Sequence, residues 1–93
     1  MEIESIRHKA LRTFAETGKA KGLIEPERIR KMIAYLVAIE AVDELKVPPN
    51  YGAHELGGDR EGTWSLTVTK NWRMTFQLDE EDRIINLDLE DYH

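Results

Sequence analysis

The chain has 93 residues, 41% hydrophobic and 33% charged, which predicts one globular domain over residues 1–93 with a single modest core. It contains no cysteine, which excludes disulfides and thiolate metal sites, and no apolar run approaches the roughly 18 residues of a membrane-spanning helix. The N-terminal MEIESIRHK also lacks the apolar segment of a signal peptide, so we expect a cytoplasmic protein with no membrane contact.

The charge is unevenly distributed along the chain. The formal net charge is −5; residues 1–50 carry nine Lys and Arg against eight Asp and Glu, whereas residues 51–93 carry four against ten. This acidic excess argues against extensive nucleic-acid binding, because affinity for phosphates comes mainly from Lys and Arg. A small basic site within an acidic body remains compatible with the distribution.

Two helices are predicted in the N-terminal half, after a weakly alternating Met1–Ile6 that could form a short strand. The first helix is predicted over Arg7–Thr17, with an apolar stripe and Gly18 as its end. The second begins at Pro26, where proline is tolerated, and should run to about Val42. Its apolar residues recur at intervals of three and four: Ile29, Met32, Ile33, Leu36 and Val37. We expect the two helices to form an antiparallel pair.

A β-hairpin is the clearest element of the chain. Thr63–Thr69 and Trp72–Leu78 both alternate apolar and polar residues, which predicts two strands buried on one face and exposed on the other. The apolar face comprises Trp64, Leu66, Val68, Trp72, Met74, Phe76 and Leu78. The polar face of the second strand carries Arg73, Thr75 and Gln77 and is the candidate binding surface.

Two further strands are predicted beside the hairpin. Ala53–Leu56 is a short strand that precedes the glycine-rich loop Gly57–Gly62, and Arg83–Leu89 alternates again. In this last strand Ile85, Leu87 and Leu89 should face the core. The predicted fold class is therefore α+β, with two N-terminal helices packed on one face of a small, mostly antiparallel sheet.

The segment GDREGTWSLTVTKNWRMTFQL, followed by EDYH, resembles the HigB-type toxins of bacterial type II toxin–antitoxin systems, within the RelE/ParE superfamily. IRHKALRTFAETGKAKGL and the helix from Pro26 also fit this family, so the likeness covers nearly the whole chain. It implies a RelE/ParE-like endoribonuclease that cleaves mRNA on translating ribosomes and inhibits translation, without metal or cofactor. The implied partners are the ribosome, mRNA and a cognate helix-turn-helix antitoxin (HigA-like), with operator DNA contacted only through the antitoxin.

Arg73 is the leading candidate for catalysis. A guanidinium fixed on the polar face of a half-buried strand suits a phosphate whose charge grows in the transition state. The alternative is a surface salt bridge with a nearby acid. His93 can exchange protons near neutral pH, and the resemblance implies that the ending Asp91-Tyr92-His93 supplies active-site groups. The resemblance also implies that His54 lies near the scissile phosphate; the alternative for this lone histidine is a structural role.

The remaining candidates have alternative structural roles. Tyr92 could bind the phosphate or stack on a base, or it could pack at a sheet edge. Asp91 could orient a histidine or remain a solvated acid. Arg60 and Lys70 are candidate phosphate contacts, although Arg60 could instead pair with Asp59 or Glu61 in its own loop. Asn71 is assigned to substrate binding, with turn formation as its alternative.

One position departs from the family pattern. Family members often carry a lysine directly before the GDREG box, whereas this chain has Gly57, so one cation near the phosphate is missing. Together with the acidic second half, this departure motivates a second interpretation. The chain could be a DNA gyrase inhibitor of ParE type, or a catalytically weak antitoxin-binding module.

Overall fold

Two α-helices precede four β-strands in the computed structural model, which describes residues 1–92. The elements are α1 (Lys9–Thr17), α2 (Pro26–Ala38), β1 (His54–Glu55), β2 (Thr63–Thr67), β3 (Trp72–Leu78) and β4 (Ile84–Asp91). Short 3₁₀ turns occur at Val42–Lys46 and Gly58–Arg60. The helices pack against one face of a four-stranded antiparallel sheet, which confirms the predicted α+β class.

The sheet has the strand order β1-β2-β3-β4, so every strand pairs with its neighbour in sequence. Within the hairpin, Trp64 is paired with Phe76 and Leu66 with Met74. All four side chains are buried, which confirms the predicted core face. Side chains directly opposite each other on two strands share a face, so this register also places the polar residues of β2 and β3 together.

Local interactions set the ends of the helices. The His8 side chain accepts a hydrogen bond from the N–H of Leu11 and caps α1, and Gly18 ends that helix at φ 79°. Helix α2 ends at Ala38 rather than at the predicted Val42. The Glu44 carboxylate accepts hydrogen bonds from the N–H groups of residues 40 and 41, at 2.7 and 3.2 Å, which gives this backbone a partner outside the helix.

Strand β4 contains a β-bulge, and the prediction for its core face was wrong because of it. Thr75 pairs with Asp88 and Gln77 with Ile85, so β4 has one more residue than β3 between these pairs. Asn86 lies within the bulge at φ 56°. The extra residue inverts the alternation, so Ile84 is fully buried and Ile85 only partly so. Leu87 and Leu89 are buried as predicted.

The N-terminal segment runs parallel to β4 along its outer edge. Two isolated bridges join Ile3 to Ile84 and Ile6 to Leu87, in place of the predicted short strand. The N–H groups of Glu4 and Arg7 donate to the carbonyls of Ile84 and Leu87, each at 2.7 Å. This segment therefore satisfies backbone groups that an edge strand would otherwise expose.

The core lies between the helices and the apolar face of the sheet. Its buried residues include Leu11 and Phe14 from α1, Ile29, Met32 and Leu36 from α2, and Leu66, Met74, Phe76 and Leu87 from the sheet. The opposite face of the sheet is left to polar residues. Within residues 1–92, no helix has the length and apolarity needed to cross a membrane.

Candidate active site

The polar face of the sheet brings together side chains from all four strands. In one row, Arg73 lies between Thr67 on β2 and Glu90 on β4. In the next row, Thr75 lies between Ser65 and Asp88, and Ser65 is paired in turn with His54 on β1. The sequence pattern predicted which residues of β3 would share this face; the register adds their neighbours on β1 and β4.

One edge of the Arg73 guanidinium is anchored to the turn between β2 and β3. Its Nη1 donates to the backbone carbonyls of Thr69, Lys70 and Trp72, at 2.7, 3.2 and 3.2 Å. Among residues 1–92, Arg73 forms no ion pair with a carboxylate, and its hydrogen bonds all come from Nη1. The predicted alternative, a surface salt bridge, is therefore not observed in this part of the chain.

Tyr92 stacks on Arg73. The guanidinium carbon lies 4.1 Å from the centre of the Tyr92 ring, close enough for a cation–π interaction. The Tyr92 N–H donates to the Asn71 carbonyl at 2.6 Å, which fixes the backbone beside Arg73. The tyrosine side chain is nevertheless 61% exposed, so its outer face is accessible to a ligand.

Lys70 and Asn71 contribute to this geometry through their backbone carbonyls, since Lys70 accepts from Arg73 and Asn71 from Tyr92. Both residues are exposed in the turn between β2 and β3. The alternative role of Asn71 as a turn residue agrees with this position. The assignment of both side chains to substrate binding stays a prediction.

A cleft of about 310 Å³ lies beside the stacked pair. Its walls include Arg60, Ser65, Arg73, Thr75, Glu90 and Tyr92. Asp91 also lines the wall, so the cleft combines two guanidinium groups, two aliphatic hydroxyl groups, two carboxylates and a tyrosine ring. Guanidinium and hydroxyl donors suit a phosphodiester, and an exposed ring suits an unstacked base.

Arg60 and Glu90 form a bidentate ion pair at the centre of this face. The Arg60 Nη1 and Nη2 atoms lie 2.8 and 2.6 Å from the two Glu90 carboxylate oxygens. The Thr75 hydroxyl also donates to Glu90. These hydrogen bonds, that from Arg60 first, hold the pKa of Glu90 below its usual value, and the same pairing raises the pKa of Arg60.

Glu90 is the site residue that the sequence interpretation missed. The alternative for Arg60 was a pair with Asp59 or Glu61 in its own loop, whereas its partner comes from β4. The alternation Asp88-Glu90 at the end of β4 was the available signal. Because Leu87 and Leu89 face the core, this alternation places both acids on the polar face.

The other predicted catalytic residues lie at the margins of the cleft or beyond the described chain. His54 is exposed on β1, with its Nδ1 atom 3.1 Å from the Gly52 carbonyl oxygen. Asp91 borders the cleft, although its Cα is paired with Trp72, on the opposite face from Glu90. His93 lies outside the described residues. The structure therefore brings Arg73, Tyr92 and Arg60 together, with His54 one strand away.

The Gly57 position is sterically open. Its backbone is extended, at φ −102° and ψ −174°, and a Cβ atom built there would have no neighbour within 4 Å. Any residue can adopt this conformation, so the missing family lysine does not reflect a backbone constraint. Among residues 1–92, no three acidic or histidine side chains are grouped so that they could hold a metal ion.

Comparison with known proteins relates the chain to a family model and to a full-length relative. A family model described as the RelE-like toxin of the type II toxin–antitoxin system HigB matches residues 4–93. The chain is also similar to the endoribonuclease HigB of Proteus vulgaris, with 40% identity over 93 residues, which cover 98% of this chain and 99% of that protein. A family match over nearly the whole sequence and a full-length relative agree with each other and with the α+β fold. The chain belongs to the HigB-like toxins, the RelE-like toxins of type II toxin–antitoxin systems.

Proposed function

We propose that this toxin is an endoribonuclease that cleaves mRNA on translating ribosomes and so inhibits translation. The observation that carries the proposal is the Arg73 guanidinium, which is anchored to backbone carbonyls through Nη1 and stacked on Tyr92 at the edge of a polar cleft. A preorganised cation of this kind stabilises charge that develops in a transition state. The similar Proteus vulgaris protein is named an endoribonuclease, which supports the same reaction.

The proposed reaction needs no group from outside the protein and RNA. A ribose 2′-hydroxyl attacks the adjacent phosphorus, a new 2′-oxygen–phosphorus bond forms, and the bond to the 5′-oxygen breaks. One imidazole accepts the 2′-hydroxyl proton and another protonates the leaving oxygen; we assign this work to His54 and His93. Arg73 binds the charged non-bridging oxygens, Tyr92 contacts the phosphate or a base, and Asp91 orients a histidine or binds a 2′-hydroxyl.

The remaining candidates bind the RNA strand around this linkage. Arg60 lies in the cleft wall, and Lys70 and Asn71 lie in the adjoining turn, so each can contact the backbone on one side of Arg73. The acidic second half of the chain makes strong independent RNA affinity unexpected. If the ribosome positions the mRNA, the toxin does not need to bind RNA strongly by itself.

Membership of a type II system implies an antitoxin partner. We propose a HigA-like helix-turn-helix protein in this role, acting in the cytoplasm and carrying any contact with operator DNA. The other function open at the sequence level, inhibition of DNA gyrase as in the ParE branch, is not favoured. The matching family model is that of HigB, and the full-length relative is named as a nuclease.

Sequencing of transcript ends after brief induction without antitoxin tests the proposal. The wild type should generate new 5′ ends within translated regions, and these ends should disappear when translation is blocked beforehand. The double substitution Arg73→Ala with His93→Ala should abolish both the ends and the growth arrest. Growth arrest without new ends, together with loss of supercoiling by purified gyrase, would instead identify a gyrase inhibitor.

A further inference from the structure

A second cavity lies on the same polar face, on the other side of the Arg60–Glu90 pair. It measures about 170 Å³ and shares Arg60, Thr75 and Glu90 with the cleft. The rest of its wall includes Arg7, Gln77 and Asn86. The ion pair is therefore a partition between two adjoining cavities, and nothing in the proposed reaction uses the second one.

The β4 bulge places the Asn86 amide in the wall of this cavity. Asn86 adopts φ 56°, its N–H donates to the Ser5 hydroxyl at 2.8 Å, and its side chain lines the cavity. Its Nδ2 donates to the Gln77 Oε1 atom at 2.8 Å, while Gln77 Nε2 is 3.4 Å from the Thr63 hydroxyl. Bulges often redirect a side chain beside a functional site. Because each amide oxygen can accept two hydrogen bonds, the pair retains acceptor capacity toward the cavity.

The charge of the cavity disfavours a phosphate. Arg60 and Glu90 neutralise each other, which leaves Arg7 against the two acids Asp59 and Glu61. The two carboxylates outnumber this remaining cation, and the amide oxygens add further hydrogen-bond acceptors. A neutral ligand with N–H donors fits this arrangement better than an anion does.

The two cavities are aligned along one strand. Arg73, Thr75 and Gln77 alternate along the polar face of β3, so Arg73 faces the cleft, Thr75 lies between the cavities and Gln77 lines the second. Four residues of a strand span about 14 Å at ~3.4 Å per residue. A stacked nucleic-acid strand covers that distance in about four nucleotides, at ~3.4 Å per nucleotide.

We propose that this second cavity reads one base of the mRNA near the cleavage site and favours a base with an exocyclic amino group. Adenine, cytosine and guanine carry such an N–H₂ donor, whereas uracil carries none. Amide and carboxylate side chains are the usual partners of these amino groups. The inference rests on the proposed nuclease function, and it adds a specificity-determining role for Gln77 and Asn86.

The test is the base composition around cleavage sites, read from transcript ends after brief induction. The wild type should deplete uridine at one fixed position relative to the cut. Gln77→Met removes the amide at similar side-chain volume, and Asn86→Gly keeps a residue that tolerates positive φ. In each variant, cuts with uridine at that position should rise about tenfold relative to cuts with any other base there. One base contact supplies discrimination of about this size.

Controls separate this inference from the function on which it rests. Arg30→Gln, a substitution on the helical layer away from this cavity, should leave the wild-type profile unchanged. Thermal unfolding identifies any variant that fails to fold. The base preferences of the remaining, folded variants then test the inference. The inference would be overturned if the wild type cut RNA without a uridine-depleted position, or if folded variants lost cleavage equally at all sites. The proposed nuclease function would stand in either case. A wild type that makes no cuts would overturn both proposals.

Discussion

Arg60 and Glu90, 30 residues apart in the chain, are joined by two parallel hydrogen bonds of 2.8 and 2.6 Å. The pair connects the Gly58–Arg60 turn to the end of β4 and divides the polar face of the sheet into two cavities. Its two side chains remain substantially exposed, at 47% and 31%. We therefore expect it to stabilise the site more than the fold, because exposed ion pairs contribute little to overall stability.

The first prediction concerns acid stability. Hydrogen bonds lower the pKa of Glu90 in the folded state. The ionised Glu90 side chain therefore stabilises the fold above the ordinary carboxyl pKa of about 4.3. This stabilisation is lost as pH falls through the lowered pKa. Glu90→Gln should be less stable than the wild type near neutral pH and should lose less stability on acidification. Urea unfolding between pH 3 and 7 measures both effects.

The matched control for Glu90 is Glu80→Gln, which removes an exposed acid of the β3–β4 turn. This variant should follow the wild-type pH dependence. Parallel wild-type and Glu90→Gln curves would mean that the pair does not contribute to stability in solution.

The second prediction concerns Arg73. Arg73→Ala should lower the cleavage rate by about 10²- to 10³-fold, the usual cost of removing one preorganised donor to a developing anion. Arg73→Lys should recover only part of this loss, because lysine keeps the charge but cannot form the fork of hydrogen bonds or the planar stack on Tyr92. Single-turnover cleavage of a defined mRNA on programmed ribosomes gives these rates.

Arg30→Ala serves as the control for Arg73, since Arg30 pairs with Glu27 on α2, away from the polar face. Wild-type cleavage by Arg73→Ala would show that the stacked guanidinium is structural. Unfolding measurements on the same samples exclude a trivial loss of folded protein.

The third prediction concerns Gly57. Because its backbone is extended and a Cβ atom at this position would have no neighbour within 4 Å, Gly57→Lys should fold as well as the wild type. The added cation adjoins Leu56, which lines the cleft, and should strengthen RNA binding. Each new phosphate contact with a single strand steepens the dependence of log affinity on log salt by about 0.7.

Binding of a short single-stranded RNA, measured over a series of salt concentrations, tests the Gly57→Lys prediction. Gly57→Gln is the uncharged control and should leave the slope unchanged. Equal slopes for the lysine and glutamine variants would place residue 57 too far from the bound strand.

The fourth prediction concerns the bulge in β4. Ile84→Ala should destabilise the protein by about 2–5 kcal/mol, because Ile84 is fully buried and the substitution leaves a cavity. Ile85→Ala should cost about 1 kcal/mol, since that side chain is only partly buried. Chemical denaturation of the two variants compares them directly. A larger loss for Ile85 would mean that β4 has the regular alternation expected without a bulge.

Much of the fold could be predicted because its signals are local. Pro26 and Gly18 mark helix ends through their own backbone preferences, and the alternation from Trp64 to Phe76 specifies the hairpin and its buried face. Arg73 was identified for the same reason, as a polar residue on a strand whose other face is apolar. Each of these inferences needs only neighbouring residues.

The errors arose where distant segments decide the outcome. The bulge at Asn86 depends on pairing with β3 and with Ser5, so the alternation of β4 alone predicted the wrong isoleucine. Glu90 was missed because its partner Arg60 lies in a separate loop. The roles assigned to His54, Asp91 and His93 stay predictions, since they depend on the substrate complex.

The parallel contact between the N-terminal segment and β4 has a consequence for the timing of toxicity. Glu4 and Arg7 cannot find their carbonyl partners until Ile84 and Leu87 have been synthesised. Domains generally fold as units once their distant contacts can form. A nascent chain halted before residue 84 should therefore remain protease-sensitive on the ribosome. Both Glu90 and Tyr92 come later still, so the candidate active site cannot be complete before β4 and Tyr92 have been synthesised.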